Sequence, residues 1–144
     1  MQILMDTRVI LDVLLRRTSW LTDSLLVWRA IDTERLTGWL TASSLTDIFY
    51  IVRRASNLQA AQDAVRLCLK TFTICTVDRA TLEAAADLSG TDFEDNLQIA
   101  CATLARLDAI VTRDQQGFRD SIIPAFTPTE LLATLNPPQE QNGC

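Results

Sequence analysis

From one end to the other, short apolar runs alternate with longer amphipathic ones, and this alternation narrows the fold more than any other feature of the chain. A strand, "QILMD", passes at once into "VILDVLLRR", whose apolar residues share one helical face. A second helix is expected from Trp20 to about Ile31, followed by a strand in "LTGWLTA". "SSLTDIFYIVRRA" reads as a helix opened by Ser and closed by Arg, and "LQAAQDAVRLCLK" as an amphipathic helix. The β-branched run "FTICTV" is a strand, "RATLEAAADL" a helix ending near Gly90, and "DFEDNLQIACATLA" the next helix. "AIVT" and "IIPAF" are the last strands, and "PTELLATL" is a terminal helix with Pro128 in its first turn. Strands interleaved with helices predict an α/β domain whose mainly parallel sheet is covered on both faces. Residues 1–136 form that domain, and residues 137–144, which lack apolar periodicity, are expected to be a flexible tail.

No apolar run is long enough to span a bilayer, and "MQILMD" lacks the charged start and apolar stretch of a secretion signal, so a cytoplasmic location is expected. Cys68, Cys75 and Cys101 sit in apolar segments without C-x-x-C spacing and read as reduced, buried thiols. The formal net charge is −5, so any polyanion must bind a local basic patch or bridge through cations. The chain has no His, which removes Ser-His-Asp and Cys-His nucleophile systems, His-ligated zinc and His general bases. Carboxylates must carry any chemistry.

The acids are placed for it. Asp6 ends the first strand, Asp114 follows "AIVT" by two residues, Asp47 is expected in the first turn of the "SSLTD" helix, and Asp92 and Asp95 open the "DFEDNLQ" helix. In such a fold, strand ends and the helix starts that follow them share one edge, where ligands bind. The bland alternative is capping, since Ser44–Asp47 and Asp92–Asp95 both have the capping-box pattern. Asp6 resists it, because an unpaired carboxylate at the end of a central strand is costly. Carboxylates converging on one crevice repel unless a cation neutralises them, and their oxygens suit a hard divalent ion able to serve phosphodiester hydrolysis.

With "ILMDTRVILDVLL", "TASSLTDIFYIVRR", "TDFEDNLQIACA", "AIVTRDQQGF" and "IPAFTPTELL" in this order, the chain resembles the PIN-domain metal-dependent nucleases, including the VapC-like toxins of bacterial toxin–antitoxin pairs. The resemblance implies a three-layer α/β/α fold with four or five strands, Mg²⁺ or Mn²⁺ held by acids, and cleavage of single-stranded RNA. It makes Asp6, Asp47, Asp95 and Asp114 the catalytic acids, with Asp6, Asp95 and Asp114 as metal ligands. Thr7, Asp92 and Thr112 become supporting residues. It also implies a homodimer and a cognate antitoxin, with Trp20, Leu21, Leu25 and Trp28 as a stripe that either receives an antitoxin helix or packs in the core. Arg8, Arg16, Arg17, Arg53, Arg54 and Arg113 are candidate RNA contacts.

Two departures stand out. Arg8 replaces the family's Asn or Ser, and its guanidinium either pairs with the acids against a metal or grips substrate phosphate. Asp47 replaces a Glu and is one methylene shorter. The alternative reading is a catalytically decayed PIN fold that binds RNA or protein. A phosphoacceptor receiver domain fits poorly, because the only Lys, Lys70, ends a helix.

Overall fold

The computed structural model describes residues 1–136; the expected tail, 137–144, lies outside them. The described residues form five strands, β1 (Gln2–Met5), β2 (Thr37–Thr41), β3 (Thr73–Cys75), β4 (Ala109–Val111) and β5 (Ala125–Phe126). Seven helices accompany them: α1 (Thr7–Leu14), α2 (Leu21–Asp32), α3 (Ala42–Ala55), α4 (Leu58–Thr71), α5 (Arg79–Ala86), α6 (Phe93–Leu104) and α7 (Pro128–Leu135). A 3₁₀ turn covers Gln115–Phe118. All strand pairs are parallel, in the order β3-β2-β1-β4-β5. Among the described residues no helix is long and apolar enough to cross a membrane.

The period-two alternation of the strands sorts side chains into two cores. Ile3, Met5, Leu40, Ala109 and Val111 face one side, where Val9 and Ile10 of α1, Val27 of α2, Ile48 of α3, Ala61 of α4 and Leu131 of α7 pack on them. Leu4 and Ile110 face the other, against Ile99 and Cys101 of α6 and Phe118. Because both faces are covered, the strands need no polar side, and this explains runs as short and apolar as "AIV". Gly38 lets β2 pass under α2: a Cβ there would lie 2.7 Å from Ile31 and 2.8 Å from Phe72. Cys68, Cys75 and Cys101 are free and buried, as expected.

Two expectations need correction. Helix α3 starts directly after β2 with Thr41 at its N-cap, so Asp47 stands beyond the first turn and is not part of a cap. The aromatic stripe is divided. Trp28 is core, meeting Phe72 edge-on at 5.0 Å between ring centroids, while Trp20 is 45% exposed and Leu21 and Leu25 are half-buried.

The order of the sheet fixes where a ligand can bind. From β1 the chain crosses to β2 on one side, whereas β4 joins β1 on the other. The crossovers diverge between β1 and β4, opening a crevice beyond their carboxyl ends. Asp6, Thr112 and Asp114 are the residues that emerge there.

Candidate active site

Asp6 follows the last residue of β1, and its amide donates to the Val111 carbonyl at 2.9 Å, tying it to the neighbouring strand. Its carboxylate is 1% exposed. Thr112 Oγ1 donates to its Oδ2 at 2.8 Å and Gln98 Nε2 to its Oδ1 at 3.1 Å, so both oxygens are fixed in direction. The same Thr112 hydroxyl accepts the Asp114 amide at 3.0 Å, which sets the turn that brings Asp114 back to the site. Asp92 caps α6 by accepting from the amides of Glu94 and Asp95 at 3.0 and 3.2 Å. That cap presents Asp95, which is buried, and Glu94, which is half-buried, to the crevice.

Arg8, in the first turn of α1, closes the centre. Its Nε lies 3.5 Å from Asp6 Oδ2, its Nη2 3.3 Å from Asp95 Oδ1, and its Nη1 3.3 Å from Asp114 Oδ2. Burial alone would lower its pKa, but the charges of Asp6, Asp95 and Asp114 outweigh that and raise it. Opposite, Thr7 Oγ1 bonds to Ser44 Oγ at 2.7 Å and donates to Glu94 Oε1 at 3.0 Å; Ser44 in turn bonds to Thr41 at 2.6 Å. Burial, then the nearby Asp47 carboxyl, pushes Glu94 up to about 7, with Thr7 opposing. Burial, then Asp92 and Asp6, pushes Asp95 up to about 6, with Arg8 opposing.

Both shifts place a proton more tightly on the folded than on the unfolded chain. Their contribution to stability is full below the ordinary carboxyl range and disappears as pH rises through about 6 and 7. In chelator, the melting temperature is therefore expected to fall from about pH 5 to about pH 8, and Glu94→Gln to remove most of the fall. A flat or rising profile in thermal denaturation would contradict these assignments.

The structure thus brings Asp6, Thr7, Arg8, Asp92, Asp95, Thr112 and Asp114 to one place, with Asp47 at the side beside Glu94. The remaining candidate arginines behave otherwise. Arg17 and Arg113 are turned onto Asp12, at 3.4 and 3.0 Å, and the Arg113 guanidinium lies 4.9 Å above the Trp20 ring. Their charge is spent on a carboxylate that is fully buried. Arg16, past the end of α1, and Arg53 and Arg54, in the last turn of α3, are exposed. Helices α1 and α3 both start at the crevice and lead away from it, so these residues lie about two and a half to three turns along them, roughly 13–18 Å.

Sequence reasoning missed Glu94, Gln98 and Asp12. Glu94 was hidden inside a capping-box pattern, and Gln98 inside the apolar face of α6. The signal for Asp12 was a single acid within "VILDVLL", on the buried face of its helix.

Gly117 of the 3₁₀ turn makes room for Asp95. A Cβ there would stand 2.4 Å from Asp95 Oδ2 and 3.6 Å from Asp114 Oδ2. Gly117→Ala is expected to turn Asp95 off Arg8 while the fold persists. The effect is at least a tenfold loss of any cation-dependent activity, with a melting temperature changed by only a few degrees. Unchanged activity would show that Asp95 need not hold this orientation.

The donor set is all oxygen: Asp6, Asp95, Asp114, Glu94 and Asp47, joined by Gln98 Oε1, which is buried without a hydrogen-bond partner. Asp6, Asp47, Glu94, Asp95 and Gln98 line one cleft of about 360 Å³. By chemistry this set fits a hard divalent cation. In geometry Asp6, Asp95 and Asp114 are arranged around the guanidinium, and among the described residues no three acidic side chains already form a cation cage. A wider cleft of about 800 Å³, at Thr37, Gly38, Lys70 and Thr73, lies at the opposite edge of the sheet and is remote from this chemistry.

Residues 2–116 match the sequence model of the PIN domain. The chain belongs to the PIN domain family. The family is one of nucleases, and the five-stranded parallel sheet between two helical layers is the PIN fold. Among curated proteins none matches in sequence. Solved structures with the same fold include the VapBC2 complex of Rickettsia felis bound to a promoter DNA fragment, at 12% identity and TM-score 0.66, covering 88% of this chain and 98% of that one. The FitAB complex bound to an IR36 DNA fragment is similar at 17% identity and TM-score 0.66, covering 88% and 94%. A toxin–antitoxin complex from Klebsiella pneumoniae follows at 20% identity and TM-score 0.62, covering 87% and 96%. At these identities the likeness concerns the fold.

Proposed function

We propose that this PIN domain is a metal-dependent endoribonuclease that hydrolyses phosphodiester bonds of single-stranded RNA, as the cytoplasmic toxin of a toxin–antitoxin pair. The observation that carries the reading is the meeting of Asp6, Asp95 and Asp114, from three separate segments, within 3.5 Å of one cation. Mg²⁺ or Mn²⁺, held by these three acids, would supply Lewis-acid polarisation of the phosphodiester when bound. Asp6, locked by Thr112 and Gln98, sets the position of the centre. Glu94, with a pKa near 7 and a neighbour in Asp47, is the group suited to take a proton from an attacking water at neutral pH. Thr7 orients Glu94 through its hydrogen bond. The toxin reading draws support from the fold's likeness to toxin–antitoxin complexes; with it come a cognate antitoxin and a homodimer.

The test is a panel of single-stranded RNA, duplex RNA and single-stranded DNA, with Mn²⁺, Mg²⁺ or chelator. Cleavage of single-stranded RNA that requires the metal is expected; cleavage undiminished in chelator contradicts the reading. A second reading, a PIN fold that binds RNA or protein without cutting, is favoured by Arg8 standing amid the acids, and predicts RNA retention without products.

A further inference from the structure

We propose that Arg8 is the resident counter-ion of this centre and that its guanidinium and a divalent cation occupy the centre alternately, never together. The proposal rests on the metal-dependent reading above. Each of the three guanidinium nitrogens faces a different carboxylate, on β1's end, on α6 and after β4, so Arg8 sits at the meeting point of the three segments that make the site.

The distances are nonetheless long. At 3.3–3.5 Å they exceed the usual length of charge-assisted N–H···O bonds, about 2.7–2.9 Å. A planar fork reaches three carboxylates at ideal length only where all three lie in its plane, whereas a point cation carries no such restriction. The site also offers more oxygen than Arg8 uses. Gln98 Oε1 is buried without a partner, on a side chain that bonds to Asp6 and lines the cleft that Arg8 borders. Arg8 leaves that oxygen unpaired; a divalent cation with its waters can satisfy it.

Arg8 has somewhere to go. Its side chain is 37% exposed and borders two clefts, of about 360 Å³ and 280 Å³, both also lined by Asp92 and Asp95. Arg8 lines both clefts, so the second, also lined by Gln116 and Asp120, is where its side chain would go on leaving the centre. Metal affinity is then reduced by the fraction of molecules in which Arg8 is in place.

The experiment is Mn²⁺ binding, read from the electron paramagnetic resonance of free Mn²⁺, on the wild type, Arg8→Gln and Arg8→Lys. Arg8→Gln is expected to bind Mn²⁺ at least tenfold more tightly than the wild type, and Arg8→Lys, which keeps the charge, within about threefold of it. Equal or weaker binding by a folded Arg8→Gln overturns the proposal, as does the absence of binding by both proteins. If Arg8→Gln does not fold, the wild type decides. Its Arg8 Nε–H resonance must shift on saturation with diamagnetic Mg²⁺, and a resonance that stays in place overturns the proposal. The two readings separate cleanly: tighter Mn²⁺ binding without RNA cleavage sustains the counter-ion and refutes the ribonuclease, while cleavage with unchanged affinity does the reverse.

Discussion

Asp6→Asn is expected to lower RNA cleavage roughly a thousandfold or more, while the protein stays folded. Asp6 is the deepest of the site's acids and the one whose two oxygens are both aimed by other side chains. An amide at this position keeps the volume, still accepts from Thr112, and donates to Gln98 once that side chain turns its amide over to present Oε1, so packing survives. What disappears is the one negative charge that a cation at the head of β1 and β4 cannot replace from solvent. Removing it also relieves repulsion among the acids, which offsets the weaker attraction to Arg8, so the melting temperature in chelator should move by only a few degrees. Asp114→Asn should cost far less, about ten- to a hundredfold, because its side chain is 43% exposed and water can take its place. Single-turnover cleavage assays check the ranking. Asp6→Asn retaining a tenth of wild-type activity, or Asp114→Asn proving the more damaging, would contradict it.

Asp12→Ala should be the most destabilising change outside the site. The Asp12 carboxylate is fully buried, and burial raises its pKa against the opposing pull of Arg113 and Arg17. Truncation leaves two guanidiniums at the core without their anion. A fully buried pair broken in this way costs about 3–5 kcal/mol; since Arg17 and Arg113 are 37% and 25% exposed, about 3 kcal/mol is the better figure. For a domain of this size that lowers the melting temperature by about 6–12 °C. The damage should reach the site as well, because Arg113 lies between Thr112 and Asp114 in the chain and Asp12 holds it. Urea unfolding measures the first effect, and a loss below about 1 kcal/mol would mean that the arginines find solvent unaided.

The order and type of the five strands and seven α-helices were legible in the sequence because short apolar runs alternate with longer amphipathic ones; the 3₁₀ turn at Gln115–Phe118 was not. "AIV" between "CATLARLD" and "TRDQQGF" can be little else. Parallel pairing followed from the alternation, and the meeting of Asp6, Asp95 and Asp114 followed from parallel pairing. What stayed hidden depended on distances shorter than any periodicity reports. The start of α3 was misplaced because β2 runs into it without a loop, and Thr41, a strand residue, serves as the cap. Glu94 and Asp95 are neighbours in sequence with different tasks, and only the rotation of α6 over the sheet separates them. Arg17 and Arg113 looked like free cations until the helix face placed Asp12 between them. Arg8 was visible as a departure, but whether it would meet one carboxylate or three was settled by the spacing of β1 and β4 and the tilt of α6.

All of this turns on three carboxylates that share one cation position beyond the ends of β1 and β4. An anomalous difference map from crystals grown with Mn²⁺ tests that most directly. The expected result is a peak bounded by Asp6, Asp95 and Asp114, with the Arg8 guanidinium turned out into the neighbouring cleft. A map with Arg8 still seated among the three acids, and manganese elsewhere or nowhere on the protein, would contradict it.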